Sequence, residues 1–239
     1  MLHLQQKGGI MKKDLFILQK SELFTGMGEQ EIDSMLECLT AVRKQYRKGE
    51  YIYRAGDVIS RMALVLNGTV HIDKEDYWGN NSLLAEVSAG ELLGETYTCL
   101  DCEPAAINAI AVRDSEVLLM DLKKIFTTCT SVCPHHAHLI QNFVRVLAMK
   151  NRELTRKMEH LSQRTIRDKL LSYLSEQSMQ AGSAAFEIPF NRQQLADYLS
   201  VDRSALSKEL GKLKAEGIID FQKNRFHLLM QEKTRGGVS

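Results

Sequence analysis

The chain has 239 residues, 44% of them hydrophobic and 26% charged, with three prolines and a formal net charge of +1. That length suggests two domains, and the composition supports buried cores and excludes wholesale disorder. The longest apolar run is Met62 to Leu66, far short of the about 20 residues of a membrane span, so no membrane partner is expected. The N-terminus MLHLQQKGGIMKK lacks the apolar stretch of a secretory signal, and an odd number of cysteines, five, is expected to stay reduced in a cytoplasm. Split after Leu161, the first part carries 19 Lys and Arg against 21 Asp and Glu, and the second 12 against 9. This asymmetry permits nucleic-acid binding by the C-terminal part without requiring it.

In chain order, residues 1–13 read as a flexible tail, followed by short helical stretches holding Leu15, Phe16, Leu18, Leu23, Phe24, Ile32, Met35 and Leu36. From Tyr46 the pattern changes. Glycines at 49, 56, 68, 79, 90 and 94 separate short segments rich in β-formers, the signature of an all-β roll or barrel. The expected strands are Glu50 to Tyr53, Ala63 to Leu66, Thr69 to Ile72, Leu83 to Val87, Ile107 to Val112 and Val117 to Met120. After Pro134 the residues Ile140, Val144, Leu147, Asn151, Leu154, Met158 and Leu161 follow a 4-3-4-3-4-3 spacing. A helix over about 135–161 would be roughly 40 Å long, more than one domain needs for its own packing, and its heptad seam predicts a dimer helix. Asn151 on that seam favours a parallel pair in one register; the alternative is a one-sided amphipathic helix lying on the roll.

The segment FNRQQLADYLSVDRSALSKELGKLKAEGIID carries the most specific signal. Asn191 with Gln194 forms a capping-box pair, and Leu195, Ala196 and Leu199 share one face of a first helix. Ser200 and Val201 make a turn, and Asp202 caps a second helix that buries Ala205, Leu206, Leu210 and Leu213. Arg203, Ser204, Ser207 and Lys208 then point outward, short polar and long basic groups suited to base edges and phosphates in a major groove. Gly217 ends the helix, and Ile218 to Phe221 with Arg225 to Leu229 form a two-stranded wing.

The order of roll, long helix and winged helix-turn-helix resembles the cyclic-AMP receptor protein and FNR family of bacterial transcription regulators. The resemblance rests on KGEYIYRAGD at 48–57, LNGTVHI at 66–72, GELLGE at 90–95 and NRQQLADYLSVDRSALSKEL at 191–210. It implies an α+β chain with an N-terminal cupin-like β-roll that senses an effector (14–133), a dimerisation helix (134–161) and a C-terminal winged helix-turn-helix domain (162–239). It implies a homodimer on a palindromic double-stranded operator, with RNA polymerase and an unidentified small-molecule effector as partners. Arg203, Ser204, Ser207 and Lys208 hold the family's base-reading or adjacent positions, and Asn191, Arg192 and Gln193 those that touch phosphate. Glu is common in the family where this chain has Ser204. The turn glycine common in such motifs is replaced by Ser200, which a turn free of positive φ tolerates.

Nucleotide-binding members follow their Gly-Glu pair, about ten residues later, with Arg-Ser or Arg-Thr that holds the cyclic phosphate. This chain keeps Gly94 and Glu95 but has Ala105 and Ala106 at those later positions, so no guanidinium fork meets a phosphate there, and cyclic AMP is not expected. Arg113, beside Asp114, reads as a surface ion pair. The expected effector site comprises Gly94, Glu95, Ala105, Ala106, Lys150 and Asn151, with a hinge at about Leu161 to Arg164 passing the signal on. Cys99 and Cys102, Cys129 and Cys133, and His135, His136 and His138 leave open a metal-, haem- or thiol-redox-responsive regulator of the same fold; small buried thiols and helix-capping imidazoles are the other reading. No cofactor or metal is assigned. An enzyme is not expected, because the predicted strands supply only His71 toward a cupin-type centre, and no Gly-rich phosphate loop is present.

Overall fold

The computed structural model describes residues 12–75, 77–78, 81–100, 103–126 and 134–229. They form two compact units that divide between Ala148 and Met149, inside the long helix. Residues 1–11 of the expected tail lie outside the described residues, and Lys12 opens the first helix instead of closing a tail.

The first unit begins with helices α1 (Lys12–Lys20) and α2 (Glu29–Cys38), joined by a short 3-10 turn at Glu22–Phe24. Strands β1 (Val42–Tyr46), β2 (Tyr51–Tyr53), β3 (Met62–Asn67), β4 (Thr69–Glu75), β5 (Asn81–Ser88) and β6 (Leu92–Leu93) follow. Helix α3 (Glu95–Cys99), strands β7 (Asn108–Ala111) and β8 (Ser115–Met120), and the short helix α4 (Lys123–Phe126) complete the roll before α5 (Pro134–Leu161). Two antiparallel sheets result, ordered β1-β8-β3-β6 and β2-β7-β4-β5. All six expected strands are present. Strands β1 and β6 are additional: β1 escapes a hydrophobic reading because its centre is Arg43, Lys44 and Gln45. Arg43 is carried there by ion pairs to Asp14 and, at 2.9 Å, to Glu116.

The period of two in β3 and β8 shows how the roll is built. Met62, Leu64 and Leu66 of β3 with Leu118 and Met120 of β8 face an outer core shared with Leu18, Phe24, Ile32 and Met35 of the N-terminal helical region. Ala63, Val65, Val117 and Leu119 face the inner core with Tyr53, Val70, Ala109 and Ala111. Successive side chains point to opposite faces, so a strand buried on both sides reads as the continuous run MALVL. The start of α5 closes the outer core through Leu139, Phe143 and Val146. Buried Asn142 donates to the carbonyls of Leu23 at 3.1 Å and Thr25 at 2.9 Å.

The second unit holds the last turns of α5, then α6 (Ile166–Ala181), β9 (Ala185–Glu187), α7 (Arg192–Tyr198), α8 (Arg203–Ala215), β10 (Ile219–Gln222) and β11 (Arg225–Leu228). Helix α6 and strand β9, which the sequence reading left unassigned, supply Leu170, Tyr173, Leu174 and Phe186 to a core with Leu195, Leu199, Leu206, Leu210 and Phe226. The wing is three-stranded, in the order β10-β11-β9.

Candidate nucleic-acid interface and effector chamber

Helix α7 starts as expected. The Asn191 side chain accepts from the Gln194 amide at 3.0 Å, and Gln194 Oε1 accepts from the Asn191 amide at 2.9 Å. The turn differs from expectation: Ser200 has φ of +51°, so it adopts the left-handed conformation that glycine would take there without strain. Lys169 of α6 braces this turn, donating to the Leu199 carbonyl at 3.2 Å. Asp202 caps α8 by accepting from the Ala205 amide at 2.9 Å and from the Ser204 hydroxyl. These bonds hold its carboxyl below the ordinary carboxylate range, the Ser204 bond most of all. With Leu206, Leu210 and Leu213 buried on one side, Arg203, Ser204, Ser207 and Lys208 are all exposed on the other.

At the start of α7, Asn191 and Gln193 are exposed, and Gln193 Nε2 donates to Asp197 at 2.8 Å. Arg192 lies differently. Its guanidinium stands 4.8 Å from the ring centre of Phe221 and 5.1 Å from that of Phe226, and donates to the Lys223 carbonyl at 2.7 Å. Burial pushes its pKa down. A recess of about 460 Å³ between this helix start and the wing turn is lined by Pro189, Phe190, Asn191, Arg192, Gln194, Lys223 and Asn224.

Within the roll, Gly94 caps α3 with φ of +81°, and a Cβ there would fall 2.8 Å from the Tyr53 ring. Glu95, the next residue, is buried. Tyr53 donates to the Arg61 carbonyl at 2.7 Å; burial, then Tyr46 and Glu95, push its phenol far above the ordinary range. Tyr97 of α3 accepts from the Ala106 amide at 3.2 Å, and Ala105 is buried in the same inner core as Tyr53 and Tyr97. Gly94, Glu95, Ala105 and Ala106 thus share one region, with Tyr53 and Tyr97 as neighbours that sequence reasoning passed over, since a strand tyrosine looks like ordinary core. A recess of about 320 Å³ beside it is lined by Tyr53, Asp57, Val58, Ile59, Ser60, Arg61 and Leu119. Three roll arginines are engaged elsewhere: Arg43 on Asp14 and Glu116, Arg54 over the Tyr51 ring, and Arg61 on the Thr40 carbonyl. Arg113 donates to the Gly68 carbonyl at 3.2 Å instead of pairing with Asp114, which accepts from the Lys48 amide at 2.9 Å. Lys150 and Asn151 belong to the second unit, where Asn151 is exposed and its carbonyl accepts from Thr155 Oγ1 at 3.0 Å.

Cys102, Cys129 and Cys133 lie outside the described residues. Cys99 is exposed, and partial burial with nearby Glu95 pushes its thiol up, away from thiolate reactivity. His135 Nδ1 lies 2.8 Å from Glu31, and His136 Nε2 lies 3.1 Å from Cys38 Sγ, so these imidazoles bind α2. Strand residue His71 pairs with Glu86 at 3.0 Å. Among the described residues, no three His, Cys, Asp or Glu side chains are grouped to hold a metal ion.

Residues 43–131 match the cyclic nucleotide-binding domain family, and residues 168–233 match the Crp-like helix-turn-helix domain. The chain belongs to the cyclic-AMP receptor protein and FNR family of transcription regulators. It is 28% identical to the cyclic AMP receptor protein of Thermus thermophilus over 84% of this chain and 89% of that protein. The CRP-like protein Clp of Xanthomonas campestris is 21% identical over 74% of this chain and 79% of its own length. The catabolite activator protein structure from Thermus thermophilus superposes with a TM-score of 0.51 at 27% identity, covering 87% of this chain and 93% of that one. CprK complexed with OCPA shares the fold, with a TM-score of 0.62 at 18% identity over 82% and 91% of the two chains. A DNA-binding regulator with an effector-binding domain is therefore the general function, and dimerisation is typical of the family. Among the described residues, no helix is long and apolar enough to cross a membrane.

The long helix of this family member has two kinds of apolar surface. Leu139, Phe143 and Val146 are buried in the outer core, as the one-sided reading requires. On the seam, Val144, Leu154 and Met158 are exposed, while Ile140 and Leu147 are partly covered by that core. At its C-terminal end His160 is buried, with Nδ1 2.8 Å from Ser172 and Nε2 2.7 Å from Glu176. Glu176 also pairs with Arg156 at 2.9 Å, and Lys157 sits over the Tyr198 ring. The segment expected to be a hinge, Leu161 to Arg164, is thus bridged by contacts between the helix before it and α6 after it.

Proposed function

We propose that the chain is a cytoplasmic homodimeric regulator whose β-roll binds an effector other than cyclic AMP and whose α8 reads a palindromic operator. The observation that carries this reading is the capped α8: one face is buried, and Arg203, Ser204, Ser207 and Lys208 are exposed together on the other. Arg203 and Lys208 supply base-edge and phosphate donors, Ser204 and Ser207 short polar contacts, and Asn191 and Gln193 backbone contacts. Arg192 is already engaged by the wing.

Exposed Val144, Leu154 and Met158 on a heptad spacing, with Asn151 among them, support a parallel two-stranded seam. Gly94, Glu95, Ala105 and Ala106 of the first unit are assigned to the effector site. Ala105 and Ala106 offer no fork for a cyclic phosphate, and burying an unpaired phosphate costs several kcal/mol, so a weakly polar organic effector suits the tyrosine-lined interior better. The effector acts by binding one dimer geometry more tightly than another, which sets the spacing of the two α8 helices. RNA polymerase is the downstream partner.

The test is selection of bound sequences from a random DNA pool, followed by anisotropy titrations. A palindrome with half-sites about 34 Å apart, bound far more tightly than scrambled DNA, is the expected result. Equal affinity for both would overturn the reading. Calorimetry with cyclic AMP should give no binding heat, and micromolar binding would overturn the effector assignment. Native mass spectrometry with metal analysis tests the metal or haem alternative, which predicts a non-protein mass.

A further inference from the structure

We propose that Arg192 is a positioning residue for the wing, holding Lys223 at the wing tip, and that it does not itself contact phosphate. The inference rests on the DNA-binding reading above. Phe221 and Phe226 face each other across β10 and β11, their rings stacked at 5.6 Å, and the hairpin closes through Lys223 and Asn224 between Gln222 and Arg225. Lys223 has φ of +55°, a backbone conformation that two-residue hairpin turns normally give to glycine or asparagine. A lysine at so unfavourable a place offers a charged, exposed side chain at the tip, something glycine cannot supply.

Two braces hold this turn. On one side Asn224 Nδ2 donates to Glu187 at 2.7 Å, and the Ile188 amide donates to the Asn224 carbonyl at 2.9 Å. On the other, Arg192 donates to the carbonyl of the strained residue itself, with its guanidinium against both aromatic rings. A planar guanidinium can stack and donate at once, whereas an ammonium cannot reproduce that geometry. The two rings and the Lys223 carbonyl fix the Arg192 guanidinium in place against the wing. Lys223, two residues beyond Phe221, needs no rearrangement to present its charge.

The experiment is a double-mutant cycle on operator affinity in the full-length protein, using Arg192→Ala, Lys223→Ala and the double variant, with salt dependence for each. Positioning predicts that either single change weakens binding by a similar factor, on the order of tenfold, and that the double variant is no weaker than Lys223→Ala alone. The slope of log affinity against log salt then falls by about one in all three. Independent phosphate contacts would instead give multiplicative losses and a slope change near two in the double variant, overturning the proposal. Arg192→Lys is the conservative control. It should behave like the alanine variant if the planar clamp matters, and near-normal affinity would show a simple charge contact.

A readout independent of DNA is amide exchange of Ile188 and Arg225. Arg192→Ala should lower their protection, and unchanged protection would rule out the clamp. If the wild-type protein binds no DNA while this exchange effect is seen, the DNA-binding reading fails and the clamp stands.

Discussion

The roll and the reading unit place their chemistry in opposite settings. Gly94, Glu95 and Ala105 are buried, packed in a core with Tyr53, whereas Arg203, Ser204, Ser207 and Lys208 stand exposed on a helix anchored by its other face. Changes in the buried set must therefore cost fold stability, whatever they do to ligand binding. Changes in the exposed set can alter DNA affinity while leaving the fold intact.

The sharpest way to break this contrast is Gly94→Ala. Positive φ and the close Tyr53 ring together predict a loss of about 3 kcal/mol in urea unfolding of the first unit, and an unchanged midpoint would refute the buried-site description. Arg203→Ala should leave the melting temperature unchanged and cost about 2 kcal/mol in discrimination between operator and scrambled DNA. Equal losses on both DNAs would make it a phosphate contact. Ser200→Gly relieves the left-handed turn and should raise the stability of the second unit by up to about 1 kcal/mol, seen as a higher midpoint.

The smallest effect concerns pH. Because the folded Asp202 carboxyl is held below its unfolded value near 3.9, its contribution is present above that value and lost as pH falls below about 4. Asp202→Asn, which caps without titrating, should remove this acid-sensitive part of α8 unfolding. A variant with the same acid profile as wild type would show that the cap is not its source.

Legibility followed the same division. Asn191, Gln194 and Asp202 act locally, within three residues of their partners, so the caps of α7 and α8 are plain in the sequence. Strand positions in the roll were legible through their glycines and β-formers. Strand β1 was not, because Arg43 takes its place only through Asp14 and Glu116, partners far along the chain. The left-handed turn at Ser200, the wing-bound Arg192 and the buried His160 all depend on such distant partners: Lys169, Phe221 with Phe226, and Glu176. Motif reading assigns a residue type to a place but cannot see which neighbour claims its side chain.

Strand β3 has a last consequence. It is a party wall, with Met62, Leu64 and Leu66 bearing on the room that houses Phe143 and Val146, and Ala63 and Val65 on the room that houses Tyr53 and Ala105. Close-packed rooms sharing one thin wall have no slack, so a change of side-chain volume on the inner side is felt by the residues packed on the outer side. The inner core and the start of the long helix are thus separated by the thickness of a single strand.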